Sequence, residues 1–442
     1  MTRRHLTRRQ SNPTLRFPSP PMRILAPLLL LSSLTLLPAS LAAQNVVAIK
    51  AGRVITLAGP DLTNVTVLVE NGRITKLGAD VEVPWNAQVI DATAKVVMPT
   101  YVLAHSSGGM RGSNENLANV PYLTVQDAVD PSSRFFDEAL RNGIAAIHVI
   151  PGNRTLIGGQ GMVCKPYGQT VEDLAIRARG GLKVSLYADR GGAVAQVRKL
   201  RRAFDDVRDA VADLERQKKE FEAEKAASGD TKKEFEGKLD LTKQPTADLL
   251  ARKNTAFFFV PDAAMVPEAL RIANDYGFDA VYVLGERVHR AVARLSGLDH
   301  PVILTGELEF WEKDEVTGKQ TKICPAAELY RRGVPFALDV STGQAGADRY
   351  PWWQMATLMR NGIDRATALQ SLTTVPAKIL GLDAELGSLQ VGKRASLQIL
   401  TGDPLAATTW VDEVLVDGEL VYERSKDPRL QHLFGVSQET DK

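Results

Sequence analysis

The stretch from Val96 to Met110, VVMPTYVLAHSSGGM, separates a β-rich beginning from a long series of alternating strand and helix patterns. Its apolar residues run on either side of Pro99 and end at His105, which predicts a short buried strand. Such a strand carries one imidazole at its C-terminal end. The stretch therefore marks the start of an α/β domain and contains a first candidate for a functional side chain.

After this stretch, strand-like apolar runs recur with helical patterns between them. The runs are GIAAIHVI, MVCKPYG, GLKVSLYA, TAFFFVP, AVYVLGE, PVILTG and VPFALDV. Residues 266–276 and 350–361 have the apolar spacing of helices. Alternation over a block of this length predicts an α/β fold of the TIM type, a (β/α)8 barrel with its site at the C-terminal strand ends.

Strand patterns with turn signals occupy both sides of this block. Asn71-Gly72 lies between two alternating runs and predicts a two-residue hairpin, and Asp417-Gly418 does the same in EVLVDGELVYE. We expect the two ends to meet in a small β-sandwich made of residues 44–98 and 386–424, around a barrel of residues 99–385. The C-terminal tail is then 425–442.

A segment of the barrel block, about 192–250, departs from the alternation. Apolar residues at three- and four-residue spacing among charged ones predict a long amphipathic helix. They are Val197, Leu200, Phe204, Val207, Val211, Leu214 and Phe221. This stripe either packs on the chain's own barrel as an inserted hairpin or pairs with another chain. Its mixed charges argue against a membrane-binding helix.

The pattern of residues 1–43 predicts a short N-terminal extension followed by a signal peptide. A short Leu-rich run, residues 24–37, follows Arg23 and is followed by small residues. The run is too short to span a bilayer comfortably. We therefore expect cleavage near Ala43, a periplasmic or secreted protein, and no stable membrane span. Translation could begin at Met1 or at Met22.

The charge balance excludes one class of partner. The chain has 54 Lys and Arg against 52 Asp and Glu, but six of the basic residues precede Gln44, which leaves 48 against 52, or −4. A chain with this balance lacks the excess of basic residues that is typical of nucleic-acid-binding proteins. A small-molecule ligand is expected instead. Cys164 and Cys324 could pair in an oxidising compartment or be small buried apolar residues.

The Val96 to Met110 stretch resembles the amidohydrolase superfamily. Members enter the first strand of a TIM barrel with the pattern apolar-apolar-Pro-Gly-x-x-Asp-x-His-x-His. Pro99 and His105 match it. Thr100, Leu103 and Ser107 stand where the family has Gly, Asp and the second His.

A second resemblance lies near the C-terminus. Gly387 to Lys393 and the strand after it are similar to the family pattern G-S-[IL]-x-x-G-K-x-A-D-[IL], with Ser396 in place of Asp. The resemblance covers residues 46–423 and is closest to the exported, imidazolonepropionase-like branch. It implies a hydrolase of non-peptide carbon–nitrogen bonds in small cyclic or dipeptide-like substrates.

The resemblance also implies a divalent metal of the zinc type, but most ligand positions are substituted. They hold Ser107, Pro261, Gly285 or Glu286, and Ser341. Zinc needs at least three protein ligands, so we expect a degenerate site with no tightly bound metal. Two functions stay open. One is a hydrolase with an atypical or single-metal site. The other is a non-catalytic barrel that binds a small ligand, or that assembles with itself or with an active paralogue.

The resemblance and the strand ends together give five candidate site residues. His105 is either a metal ligand or a hydrogen-bonded residue of the barrel mouth. Asp339 is the carboxylate nearest the strand-eight Asp position of the family and a candidate catalytic group. Lys165 is either a carboxylated metal ligand or an ordinary ion-paired lysine. Trp352 and Trp353 either line a substrate pocket or cover the barrel top.

One further histidine belongs with these candidates. His148 ends the strand-like run GIAAIHVI and could approach His105, or it could be a core histidine with its own partners.

Overall fold

The structure is a computed structural model that describes residues 45–188, 192–228, 232, 234–339 and 350–433. The predicted signal peptide, Ser341, the side chain of Glu286 and the end of the predicted tail lie outside the described residues. Within the described part, no helix is long and apolar enough to cross a membrane.

The described chain alternates between strands and helices. The strands are β1 Val46–Val54, β2 Leu62–Glu70, β3 Arg73–Gly78, β4 Gln88–Pro99, β5 Tyr101–Ser106, β6 Ile144–Val149, β7 Ile157–Gln160, β8 Met162–Cys164, β9 Ala175–Arg177, β10 Leu182–Ser185, β11 Ala256–Asp262, β12 Ala280–Arg287, β13 Val302–Leu304, β14 Phe310–Lys313, β15 Gln320–Ile323, β16 Phe336–Leu338, β17 Leu397–Leu400, β18 Val411–Val416 and β19 Glu419–Glu423.

The helices are α1 Arg134–Arg141, α2 Val171–Leu174, α3 Ala193–Ser228, α4 Gln244–Leu250, α5 Val266–Tyr276, α6 Pro325–Arg331, α7 Pro351–Arg360, α8 Arg365–Gln370, α9 Thr374–Ile379 and α10 Pro428–Leu433. The 3-10 turns are Val125–Asp127, Ala263–Met265, Val288–Arg294 and Arg424–Lys426.

The two ends of the described chain share one seven-stranded sheet, in the order β19-β18-β17-β4-β1-β2-β3. The C-terminal strand β17 pairs antiparallel with the end of β4, so that Leu397 lies opposite Pro99. Both predicted hairpins form. Asn71 and Asp417 adopt positive φ angles of 50° and 53°, each followed by a glycine that accepts the same conformation. The meeting of the two ends is confirmed, and the sandwich stays a prediction.

The α/β block contains two larger sheets of mostly parallel strands and the antiparallel pair β14-β15. One has the order β16-β13-β12-β11-β10-β7 and the other β5-β6-β8-β9. β5 and β6 are buried along their whole length, as expected for parallel strands covered on both faces. β7 and β8 depart from the predicted alternation because they run antiparallel to β10 and β6.

The two sheets approach each other at both edges. Gly161, between β7 and β8, accepts a hydrogen bond from Gly180 at 2.6 Å and donates one to the carbonyl of Gly181 at 2.9 Å. At the other edge, the segment after α8 bridges the sheets: the carbonyl of Leu372 accepts from Val102 of β5 at 2.8 Å, and that of Ser371 accepts from Leu338 of β16 at 3.1 Å. Strand pairing among the described residues does not close these sheets into a continuous barrel, so the fold is shown as mixed α/β.

The long charged helix predicted for the inserted segment is present as α3, with 36 residues. Its buried side chains include Leu200, Phe204 and Val207. The ring of Phe204 packs against those of Tyr276 and Phe278, with centroids 5.0 and 5.4 Å away. The first half of α3 therefore packs on the chain's own α/β block, as one of the two interpretations predicts.

The two cysteines are not joined. Cys164 and Cys324 are both free and buried, in agreement with the prediction of small apolar core residues.

Candidate functional site

Three ionisable side chains meet near the C-terminal ends of β5 and β16, where the long side chain of Lys183 reaches from the second residue of β10. His105 belongs to β5, Lys183 to β10, and Asp339 follows β16. His105 Nδ1 lies 3.0 Å from Asp339 Oδ2, and Lys183 Nζ lies 2.9 Å from His105 Nε2. Lys183 is 0% exposed and His105 is 4% exposed. The side chains form a continuous buried chain of polar contacts.

Strand alternation explains why a lysine lies inside the domain. Leu182 and Val184 belong to one apolar cluster, so the side chain of Lys183 between them points to the opposite face of β10. That face also carries Phe257 and Phe259 of the neighbouring strand. Lys183 Nζ lies 5.7 Å from the centroid of the Phe259 ring. The ammonium group is thus held in largely apolar surroundings.

A loop residue completes the polar shell of the lysine. Lys183 Nζ donates to Asn153 Oδ1 at 2.5 Å. The backbone carbonyl of Asn153 in turn accepts from Ser185 Oγ at 2.5 Å. Since Ser185 also lies on β10, the strand fixes both the lysine and the loop that receives it.

Burial sets the protonation of this cluster. It lowers the pKa of Lys183 to about 7, while the charge of Asp339 acts in the opposite direction. Burial, followed by the charge of Lys183, also lowers the pKa of His105, against the opposing effect of Asp339. The contacts then assign a neutral imidazole that donates from Nδ1 to Asp339 and accepts at Nε2 from Lys183. Near neutral pH, the titrating group is the lysine.

His148 lies close by but has its own partners. Its Nδ1 donates to the carbonyl of Ala104 at 2.9 Å, and its ring is 4.2 Å from that of Phe257. Burial lowers its pKa to about 3. Its Nε2 has no hydrogen-bond partner in the described part of the chain. A Cβ at Gly161 would come within 2.5 Å of this nitrogen, so backbone covers it. His148 is a neutral core histidine.

The structure brings two of the five predicted site residues together, namely His105 and Asp339. It does not bring Lys165 to them. Lys165 Nζ lies 3.4 Å from Tyr167 Oη and 4.4 Å from the centroid of that ring. Because β8 runs antiparallel to β6, Lys165 follows it toward the opposite end of the sheet. Lys165 therefore lies apart from His105 and Asp339, and its role as a carboxylated metal ligand stays a prediction. The lysine beside His105 is Lys183.

The two tryptophans pack together, away from the cluster. Their rings are perpendicular, with centroids 5.7 Å apart. Trp352 lines a cavity of about 410 Å³ together with Tyr101, at the first residue of β5, and Leu400. His105 is near the other end of β5. Trp352 thus lines a cavity that does not contain His105, and a role of Trp352 or Trp353 in substrate binding stays a prediction.

The donor set described here does not fit a zinc-type ion. Within the described residues, no group of three or more His, Cys, Asp and Glu side chains is arranged to hold a metal. Both ring nitrogens of His105 are engaged, one by Asp339 and the other by Lys183. Two conventional donors are fewer than the three that a catalytic zinc needs. The expected weakness of metal binding stays a prediction.

Comparisons with known proteins agree with the resemblance. The amidohydrolase family model matches residues 314–422. A solved amidohydrolase from Thermotoga maritima MSB8 is 27% identical, with a TM-score of 0.75, and the match covers 86% of this chain and all of that one. The chain is therefore similar to amidohydrolases, in sequence over residues 314–422 and in structure over 86% of its length. This similarity implies a TIM-type barrel for the α/β block.

Other solved amidohydrolase structures are more distant. Molinate hydrolase has a TM-score of 0.47 and 16% identity, covering 86% of this chain and 95% of that one. A β-aspartyl dipeptidase from Fervidobacterium islandicum AW-1 has a TM-score of 0.48 and 11% identity, covering 86% and 97%. No curated protein sequence matches the chain. The chain is thus similar to amidohydrolases, and its substrate is left open.

Proposed function

We propose that the chain is a hydrolase of non-peptide carbon–nitrogen bonds in small cyclic or dipeptide-like substrates, with Lys183 as its general base. His105 and Asp339 act as positioning residues, since His105 accepts a hydrogen bond from the lysine and Asp339 holds the other nitrogen of His105. This proposal includes the similarity to the imidazolonepropionase-like branch, because the same substrates are expected there.

The observation that carries the proposal is the burial of Lys183 with its amine against His105, near the C-terminal end of β5, and with no carboxylate in direct contact. In TIM-type domains this end holds the active site. Burial lowers the pKa of Lys183 to about 7, which matches a general base to neutral pH. A strongly shifted pKa with a specific charge partner is typical of functional sites. A lysine kept only for stability would not be buried at this cost.

The hydrogen-bond count gives the lysine its role. A neutral amine has two N–H donors and one lone pair. Both donors of Lys183 are used, by His105 Nε2 and by Asn153 Oδ1. The lone pair remains and can take a proton from a water molecule that attacks the substrate carbonyl. The resulting ammonium group can then return that proton to the departing nitrogen.

The rate acceleration that acid–base catalysis alone can supply limits the expected turnover. Positioned acid–base catalysis contributes about 10²- to 10⁴-fold. A metal that lowers the pKa of water from about 16 to about 7 contributes far more. We therefore expect slow turnover whose pH dependence follows Lys183.

The test is turnover of lactams, cyclic ureides and dipeptides by the purified chain in the presence of a chelator, measured as release of amine. kcat/KM should rise as the pH passes about 7 and then level off, because only the neutral lysine is a base. Lys183→Met should lose at least about 10²-fold, while Lys165→Met should retain activity. Full activity in Lys183→Met would refute the proposal.

One observation favours a second candidate, the non-catalytic barrel. Lys183 has no exposed surface, so a substrate would need an opening through the residues around it. If no substrate in the panel is turned over above buffer, a ligand-binding or partner role becomes the better proposal. A partner would then be a second copy or an active paralogue.

We also propose that the chain is exported, with residues 1–43 removed and residues 44–98 and 386–424 forming the domain that flanks a barrel of 99–385. The short apolar run and the small residues before Gln44 support this proposal. N-terminal sequencing of the exported protein tests it. A retained leader on membrane-bound protein would contradict it.

A further inference from the structure

A second polar cavity lies at the end of the α/β block opposite His105. It has a volume of about 440 Å³. Its walls include residues that directly precede parallel strands, namely Gly181 before β10, Thr255 before β11 and Asp279 before β12. These are the N-terminal strand ends, whereas His105 lies near the C-terminal end of β5.

The walls of this cavity are strongly basic. Four cationic side chains line it: Arg177, Arg179, Lys253 and Lys378. Asp279 is the one carboxylate among the lining residues, so four cations against one anion give a local charge of +3, with histidine counted as neutral. The part of the chain from Gln44 onward has a net charge of −4, which makes this concentration of positive charge local.

Most of these cations lack a carboxylate partner. Within the described residues, Arg177, Arg179 and Lys378 have no Asp or Glu oxygen within ion-pair distance. Lys253 reaches Asp248 at 4.0 Å. Neighbouring cations without counter-charges repel one another, so an anion between them would stabilise the arrangement.

Arg177 is the most constrained of the four. Its guanidinium donates to the carbonyl of Leu380, directly after α9. Arg177 is exposed to solvent, as are Arg179, Lys253 and Lys378. Partial burial of its guanidinium still lowers the pKa of Arg177, as expected for a cation without an adjacent carboxylate. The single carbonyl contact leaves other N–H groups of the fork available.

We propose that this cavity binds a small multivalent oxyanion, such as a phosphate ester or a pyrophosphate, between Arg177, Arg179 and Lys378. A guanidinium matches two oxygens of one phosphate, and a lysine adds a point charge. The site is independent of the proposed hydrolysis, because it lies toward the N-terminal strand ends and its lining includes none of His105, Lys183, Asp339 and Asn153.

The alternative is that these side chains are ordinary solvated surface cations, whose interactions contribute little. Two features favour a site. The cations converge from β9, the loop after it and α9 on one concave space. The space is also large enough for a small anion with several waters, at about 30 Å³ per water. A lipid phosphate shares the chemistry, but a recess of this size favours a free small anion.

The experiment is a calorimetric titration of the full chain without its leader, using inorganic pyrophosphate at low ionic strength. We expect one saturable site per chain. Arg177→Gln combined with Lys378→Gln should weaken binding at least about tenfold, since it removes two charged contacts to the anion. Lys50→Gln combined with Lys76→Gln is the charge-matched control. Both lysines are exposed on the seven-stranded sheet, and affinity should change less than about twofold if the effect is local.

Two outcomes overturn the proposal. One is the absence of saturable pyrophosphate binding by the wild type, and the other is an equal loss in the control variant. Sedimentation with phosphatidic acid vesicles separates the two phosphate sources. Vesicle binding that pyrophosphate does not displace would overturn the assignment to a small anion.

Folding of the variants is followed by thermal unfolding without ligand. If the double variant does not fold, the exposed Arg179→Gln variant replaces it, with an expected loss of at least about threefold. Unchanged affinity in Arg179→Gln would then count against the site.

Discussion

At the scale of the residue, the burial of Lys183 couples the stability of the fold to pH. Its pKa is about 7 in the folded chain and about 10.4 in an unfolded one. Between these values the unfolded chain binds more protons, so stability rises with pH across this window. Below pH 7 both states are protonated, and the folded state carries the full cost of a buried ammonium group.

Lys183→Met should remove this dependence. At pH 6 we expect the variant to be more stable than the wild type. Between pH 6 and pH 10, the free energy of unfolding of the wild type should rise by about 3–5 kcal/mol relative to that of the variant. Urea unfolding at both pH values measures it. Lys165→Met, at a half-buried lysine paired with Tyr167, is the control and should show no such change. A difference that stays constant with pH would mean that the amine is already neutral, or already compensated, at pH 6.

Residue patterns could predict His105 and Asp339 but not their lysine. His105 ends an apolar strand and Asp339 follows another, which is the usual position of site residues in parallel sheets. Lys183 lies inside the run GLKVSLYA, where a lysine alternating with apolar residues is typical of a half-exposed strand. Only the packing of Phe257 and Phe259 on the same face shows that this face is buried.

At the scale of the element, α3 is covered unevenly. Val207 is 6% exposed and lies among the core residues, whereas Val194 near the helix start is 83% exposed. Val211, Leu214 and Phe221 are only partly buried. A 36-residue helix is about 54 Å long. Its buried residues all lie in the first half, so the α/β block covers only part of this length. The periodicity predicted the helix, but it could not predict where the covering surface ends.

Val207→Asp should therefore destabilise the fold by about 3 kcal/mol or more, because it places an unpaired charge against the α/β block. Val194→Asp is the matched control on the same helix and should change stability by less than about 0.5 kcal/mol. Both are measured by chemical denaturation. Equal effects of the two variants would show that Val207 is solvated in solution.

Strand direction is the second feature that the pattern did not contain. MVCKPYG was expected as one more parallel strand, yet β8 pairs antiparallel with β6. Apolar runs carry no information on direction, because a buried strand has the same composition in either orientation. The consequence is functional. The antiparallel direction takes Lys165 away from the strand ends where His105 and Asp339 lie.

At the scale of the whole molecule, the superfamily's scaffold and its metal chemistry can be separated by experiment. The described residues supply His105 and Asp339 as conventional donors, and the amine of Lys183 competes for His105. Catalytic zinc needs three protein ligands, and damage to supporting residues alone lowers metal affinity 10- to 100-fold. We expect less than about 0.2 equivalents of zinc, manganese or iron after dialysis, on the same ligand count.

The measurement is elemental analysis of the purified chain, repeated on Asp339→Asn and Lys183→Met. If the metal content of the wild type is low, both variants should match it, because no donor set is lost. A stoichiometric metal that disappears in Asp339→Asn would show that the carboxylate is a ligand, with the remaining donors supplied from outside the described residues. Disappearance in Lys183→Met as well would identify the lysine as part of the metal site, which would replace its assignment as a free general base.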